Sequence, residues 1–120
     1  MVYWWSKTKS LKTSMKKILI TRKLIESSEK FAKNFFEVSL NEKDNILSKE
    51  EIIKKSQGCE GILSSITDKF DSNLIFKLPS TIKIISNFAV GFGNIDIHAA
   101  KKKILLLQIL QTFLQMQLLK

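Results

Sequence analysis

The stretch TIKIISNFAVGFGNIDIHAAKKK, residues 81–103, carries three signals in succession. TIKIISNFA (81–89) is a short apolar run rich in isoleucine, the pattern of a buried strand. NFAVGFGNID (87–96) sets Gly91 and Gly93 on either side of Phe92, directly after that run. IDIHAAKKK (95–103) opens a helix after Asn94. Strand, glycine turn and helix in that order form the repeating unit of a parallel α/β sheet.

The residues before it repeat the unit. KILITR (17–22) is an apolar run followed by LIESSEKFAKNF (24–35), with helical spacing at Leu24, Ile25, Phe31 and Phe35. FEVSL (36–40) alternates like a strand. LSKEEIIKKSQG (47–58) has Ser48 as N-cap, Glu51 three residues on as its capping-box partner, and Gly58 as the stop. GILSSI (61–66) is a third strand, and DSNLIFKLP (71–79) a short helix ending before Pro79. Strands separated by helices of this length predict right-handed crossovers and a parallel sheet, with Ile18, Ile20, Leu63, Ile84 and Ile85 in its core. Ligands of such sheets bind beyond the carboxyl ends of the strands. That singles out the loops after Ile20, Leu63 and Ala89.

Composition excludes several classes. The chain has 120 residues, 44% of them hydrophobic, so it is neither disordered nor longer than one domain. A single cysteine, Cys59, and a single histidine, His98, leave no disulfide framework and no metal cluster. The net charge is +9, but 19 of the 20 basic residues are lysine and only Arg22 is arginine. Between Met15 and Lys103 the lysines alternate with all 11 acidic residues, the look of solvated helix faces. No clustered, arginine-bearing footprint for nucleic acid is present. Cys59 reads as a small buried thiol and His98 as a solvent-facing side chain, because neither has an activating partner at a fixed spacing. Glu50 and Glu51 read as outward-facing on a lysine-rich helix, and Asp68 and Asp71 as flanking a helix start where acids cap amides. None of these carboxylates reads as catalytic.

The ends differ from the middle. MVYWWSKTKSLKTS (1–14) has both tryptophans, no acid and no periodicity, and its four-residue apolar run is too short for a secretory signal. ILLLQILQTFLQMQLLK (104–120) has no glycine, proline or acid, and Gln108, Gln111, Thr112 and Gln115 cluster on one side of a helical wheel. A helix is the expected state there, too short and too polar for a membrane span.

MKKILITR (15–22), GCEGILSSITDKFD (58–71) and LPSTIKIISNFAVGFGNIDIHAAKK (78–102) together resemble the D-isomer-specific 2-hydroxyacid dehydrogenases, in particular the glyoxylate/hydroxypyruvate reductase group. The most specific strings are N-x-A-V-G-x-x-N-I-D at 87–96 and T-D-K-x-D at 67–71. The resemblance implies an α/β fold, a partial flavodoxin-like parallel sheet of about four strands with flanking helices, to which 104–120 adds a non-native-looking C-terminal helix. It also implies that 15–103 is part of the substrate-binding domain. Backbone amides at Val90 and Gly91 would hold the substrate carboxylate, and Ser65 and Ile66 would line the cleft. Ser65 stands where some members carry a bulkier apolar residue. The intact enzymes use NAD or NADP to reduce a small 2-oxo acid such as glyoxylate or hydroxypyruvate, are cytoplasmic, and form homodimers. Their catalytic Arg, Glu and His and their glycine-rich cofactor loop match nothing in this sequence, so no cofactor is expected to bind these residues. GFGN at 91–94 is not a GxGxxG fingerprint, because Ile95 and Asp96 follow it.

The resemblance also suggests an origin for the ends. A one-base slip in the A-rich lysine codons, applied to a coding string for the family's next strand (NIVVTNTPDVFTDATAEIA), reads out as the sequence from Lys103 to Lys120. Residues 104–120 are therefore expected to be an out-of-frame tail prone to self-association through its leucines, and the fragment is expected to be inactive alone. Residues 1–14 are expected to lie upstream of the natural start at Met15. The alternative is a stand-alone flavodoxin-like binding module whose amphipathic C-terminal helix takes a partner. A second alternative is a small protein that lies on a membrane surface through that tail.

Overall fold

The computed structural model describes residues 15–103 and 105–109. Five strands, β1 (Lys17–Ile20), β2 (Glu37–Ser39), β3 (Gly61–Ser65), β4 (Ile84–Phe88) and β5 (Leu106–Ile109), form one sheet. Its order is β2-β1-β3-β4-β5, and every pairing is parallel. Four helices connect them: α1 (Glu26–Phe35), α2 (Lys49–Lys55), α3 (Ser72–Lys77) and α4 (Ile97–Lys102). The fold is the expected α/β parallel sheet with flanking helices.

Local signals set the helix ends. The Ser48 hydroxyl accepts from the Glu51 amide at 3.2 Å, while the Glu51 carboxylate accepts from the Ser48 amide at 3.1 Å. The Ser48 backbone amide first, and its side chain second, hold the Glu51 carboxyl below the usual carboxylate range. Gly58, at φ +77°, takes the left-handed turn that ends this segment. Asp71 caps α3 through the Leu74 amide at 2.9 Å, and Asp96 caps α4 through the Ala99 amide at 3.0 Å. Asp71 is also paired with Lys49; this ion pair first, and the Leu74 amide second, lower its pKa.

The core fills one face of the sheet. Leu19, Ile62 and Ile85 project into a cluster with Ile52 of α2, Leu74 and Ile75 of α3, Ala99 and Ala100 of α4, and Phe70. On the other face only α1 packs, and the expected core divides accordingly. Ile20 and Ile85 are buried, but Ile18, Leu63 and Ile84 are only half-buried. The expectation treated both faces as equally covered, which is what parallel strands usually require. Here α2, α3 and α4 all lie on one side, and the other lacks their counterpart among the described residues.

The tail departs from the expectation of a helix. Residues 106–109, LLQI, form β5, with Ile84 opposite Leu106 and Asn87 opposite Ile109. A helical period is a weak preference, whereas the free edge of β4 offers a row of unpaired amides and carbonyls. The sheet therefore has five strands and not four. Residues 1–14, 104 and 110–120 lie outside the described residues, as do the readings made on them. Among the described residues, no helix is long and apolar enough to cross a membrane.

Candidate functional site

The loops that leave the carboxyl ends of β1 to β4 are tied together by buried polar side chains. After β1, Thr21 donates its amide to the Leu63 carbonyl at 3.0 Å and its hydroxyl to Asp68. After β2, Asn41 donates its side-chain amide to the carbonyls of Thr21 (2.8 Å) and Asn45 (2.6 Å). After β3, the buried Asp68 also accepts from the Ser65 amide at 3.0 Å, closing a tight turn at 65–68. Its second oxygen, Oδ1, is buried and has no hydrogen-bond partner among the described residues.

The loop after β4 is held to that turn by two asparagines. Asn94 donates its side-chain amide to the carbonyls of Ser65 (3.0 Å) and Asp68 (2.8 Å). Asn87, fully buried, donates to the Gly91 carbonyl and to Asn94 Oδ1, both at 2.8 Å, and accepts from the Ser64 hydroxyl at 2.9 Å. Phe70 and Ile95 form a parallel bridge, with Phe70 donating to the Asn94 carbonyl and Asp96 donating to the Phe70 carbonyl, each at 2.8 Å. The segments carrying T-D-K-x-D and N-x-A-V-G-x-x-N-I-D are thus one hydrogen-bonded unit.

The four predicted site residues occupy its rim. Ile66 is 67% exposed and Val90 64%, while Ser65 and Gly91 are half-buried. Among the described residues no acceptor takes the backbone amides of Val90 and Gly91. Exposed amides at a strand end attract anions without a charged side chain. The glycines are not needed for a left-handed turn: neither Gly91 nor Gly93 has positive φ, and a Cβ on either would meet nothing within 4 Å. Ser65 exchanges a 2.8 Å hydroxyl contact with Thr67, so its side chain is already engaged.

Several residues of this unit were not among the sequence candidates. Arg22 lies on the same rim, donating through Nε to Asp44 and through Nη1 to Thr67, both at 2.8 Å. The Asp44 carboxylate also accepts from the Lys23 amide at 2.9 Å, and Arg22 first, then Lys23, lower its pKa. Asp44 itself has φ +52°, a conformation that aspartate tolerates better than most residues. A lone arginine after an apolar run was the available signal for Arg22. For Asn87, Asn94 and Asp68 nothing local distinguishes a structural bridge from an ordinary loop residue.

The remaining candidates stand as read. Cys59 is buried, and burial pushes its thiol pKa up. His98, Glu50 and Glu51 are exposed.

Residues 18–111 match the family described as D-isomer specific 2-hydroxyacid dehydrogenase, catalytic domain. The chain belongs to this family. It is 34% identical over 86 residues to the glyoxylate reductase of Thermococcus onnurineus, covering 72% of this chain and 25% of that protein. Against the glycerate dehydrogenase of Hyphomicrobium methylovorum it is 31% identical over 90 residues, 75% of this chain and 28% of the relative. The chain therefore spans about a quarter of the length of the curated relatives it matches. Two solved structures share the fold. One is the NAD+-bound 3-phosphoglycerate dehydrogenase of Entamoeba histolytica, with TM-score 0.67 and 22% identity over 80% of this chain and 33% of that one. The other is apo D-lactate dehydrogenase of Escherichia coli, with TM-score 0.66 and 24% identity over 80% and 31%.

Proposed function

We propose that this chain is the substrate-carboxylate-binding part of a cytoplasmic, NAD(P)-dependent D-2-hydroxyacid dehydrogenase of the glyoxylate/hydroxypyruvate class. The observation that carries the reading is the pair of backbone amides at Val90 and Gly91, which find no acceptor among the described residues, on a loop whose Gly91 carbonyl is held by Asn87. They suit the carboxylate of a small 2-oxo acid, with Ser65 and Ile66 on the neighbouring rim. The family membership and the names of the relatives support the substrate class.

These residues do not fit a nicotinamide dinucleotide. The four glycines, at 58, 61, 91 and 93, do not make a GxGxxG turn, so no pyrophosphate cradle is available in this sequence. Hydride transfer in the intact homodimeric enzyme belongs to the cofactor and to a catalytic Arg, Glu and His that match nothing here. On this reading these residues bind substrate without turning it over by themselves, and residues 104–120 are proposed to be read out of frame.

A few neutral hydrogen bonds contribute about 0.5–1.5 kcal/mol each, and 1 mM affinity already requires about 4 kcal/mol. Titrating the chain with glyoxylate should shift the amide resonances of Val90 and Gly91 with a dissociation constant of millimolar or weaker. Shifts confined to other residues would place the anion site elsewhere, and micromolar NADH binding or measurable glyoxylate reduction would overturn the reading. Sequencing the locus tests the frame: an intact family reading frame should reappear after a one-base correction.

A further inference from the structure

The hydroxyls of Ser65 and Thr67, 2.8 Å apart, end a row of polar groups that crosses the rim from the loop after β2 to the loop after β3. Asp44 accepts from Arg22 Nε, and Arg22 Nη1 donates to Thr67 Oγ1, both at 2.8 Å. The Thr67 amide donates to Ser65 Oγ over a longer 3.4 Å. Ser65 pairs with Phe88 in the register of β3 against β4, which sets it beside the start of the loop that carries Val90 and Gly91. Its carbonyl is tied to that loop through Asn94, whose Oδ1 accepts from Asn87, which in turn donates to the Gly91 carbonyl.

The order of protons along the row follows from what each group can give. A guanidinium carries donors only, so at Thr67 Oγ1 it occupies an acceptor lone pair. A hydroxyl whose oxygen accepts from a cation is the stronger donor for it, because each bond in such a chain polarises the next. Thr67 is therefore the donor in its contact with Ser65, and its amide reaches the same oxygen. Ser65 Oγ then accepts twice, so both its lone pairs are taken. What Ser65 has left is its proton, which meets no further acceptor among the described residues.

We propose that Ser65 gives this proton to the carboxylate of the bound 2-oxo acid, with Arg22 and Thr67 as positioning residues that orient it. The inference rests on the reading of the Val90 and Gly91 amides as the carboxylate site. A carboxylate has about four lone-pair positions, so two amides leave room for a third donor. Arg22 acts at two bonds' remove: Asp44 holds its Nε, which fixes the guanidinium where Nη1 meets Thr67. With its lone pairs filled, Ser65 donates and does not accept, and the rim thereby favours an anion over a neutral ligand that offers a donor.

The test titrates the full 120-residue chain with glyoxylate and follows the amide resonances of Val90 and Gly91. Ser65→Ala should weaken binding about three- to ten-fold. Thr67→Val should weaken it by a smaller factor, and Thr67→Ser should keep the original affinity, since only the hydroxyl is needed. In a Ser65→Ala background Thr67→Val should have no further effect, because Thr67 acts through Ser65; a merely structural role would lower affinity in both backgrounds. Arg22→Met, which removes the polarising charge, should weaken binding in the otherwise unaltered chain. Unchanged affinity in Ser65→Ala or in Arg22→Met, or an equal loss from Thr67→Val in both backgrounds, overturns the proposal and leaves the amide site standing. Val90 and Gly91 amides that do not respond to glyoxylate in the unaltered chain overturn the amide site itself, and this inference with it.

Discussion

Leu19, Ile62 and Ile85 sit one residue away from Ile18, Leu63 and Ile84 along the same three strands, yet their surroundings differ sharply. The first set is 0–2% exposed and touches three helices. The second set faces the side of the sheet that only α1 covers and is only half-buried. Side chains alternate across a strand, so a two-residue period assigns neighbours to opposite faces whatever their chemistry. The comparison teaches that apolar strand sequence reports an intention to be buried on both sides, while the completeness of each side depends on helices elsewhere in the chain. Gly61 shows how close the fit on that side already is: a Cβ there would lie 3.2 Å from Ile84 Cγ2.

Truncation on the two faces should give the largest contrast. Phe70→Ala on the filled face removes a fully buried ring and should cost about 3–5 kcal/mol in urea unfolding, with Ile85→Ala at about 2–5. Ile84→Ala, at a half-buried position on the face that only α1 covers, should cost distinctly less than Ile85→Ala. Equal costs would erase the distinction between the faces.

Next in size is the polar unit at the strand ends. Asn94→Ala removes the side-chain amide that bridges the carbonyls of Ser65 and Asp68, leaving the Ser65 carbonyl only its bond from the Asp68 amide, at a cost of about 1–3 kcal/mol. Amide exchange should quicken in both 65–68 and 88–94 together. Faster exchange in only one of the two loops would show that they are not a unit.

Ser48→Ala removes one half of the capping box on the filled side and should cost about 1 kcal/mol, read from the same unfolding curves. The carboxyls of Asp44, Glu51 and Asp71 are all held below their ordinary values by native partners. Their contribution is therefore complete above the ordinary carboxylate range and is lost as pH falls through the depressed folded-state values. Stability should decline on acidification in that window, and Asp44→Asn should flatten part of the decline. The smallest change belongs to the outer rim: Ile25→Ser, at an exposed position, should stay within about 0.5 kcal/mol.

Much of this was legible in the residues themselves. The alternation of strands and helices, the parallel sheet and the caps at Ser48 and Asp71 all rest on signals a few residues long. The rim position of Val90, Gly91, Ser65 and Ile66 follows from the order of elements together with the family resemblance. What escaped was anything requiring partners far apart. Asn94 bonds to residues 26 and 29 positions away, and Arg22 to Asp44 and Thr67, 22 and 45 positions away. The strand at Leu106–Ile109 escaped for the same reason, since its periodicity favours a helix and only the free edge of β4 makes it a strand.

The sequence by itself determined the order of elements, their caps and their parallel arrangement, because hydrogen bonds within a turn and apolar periodicity act over three to seven residues. Tertiary structure alone decided which sheet face was filled, which asparagines lock the strand-end loops together, and that LLQI would extend the sheet. Those outcomes turn on burial and on pairing between segments distant in the chain, where the energy of a residue is set by what packs against it and its own propensity counts for less.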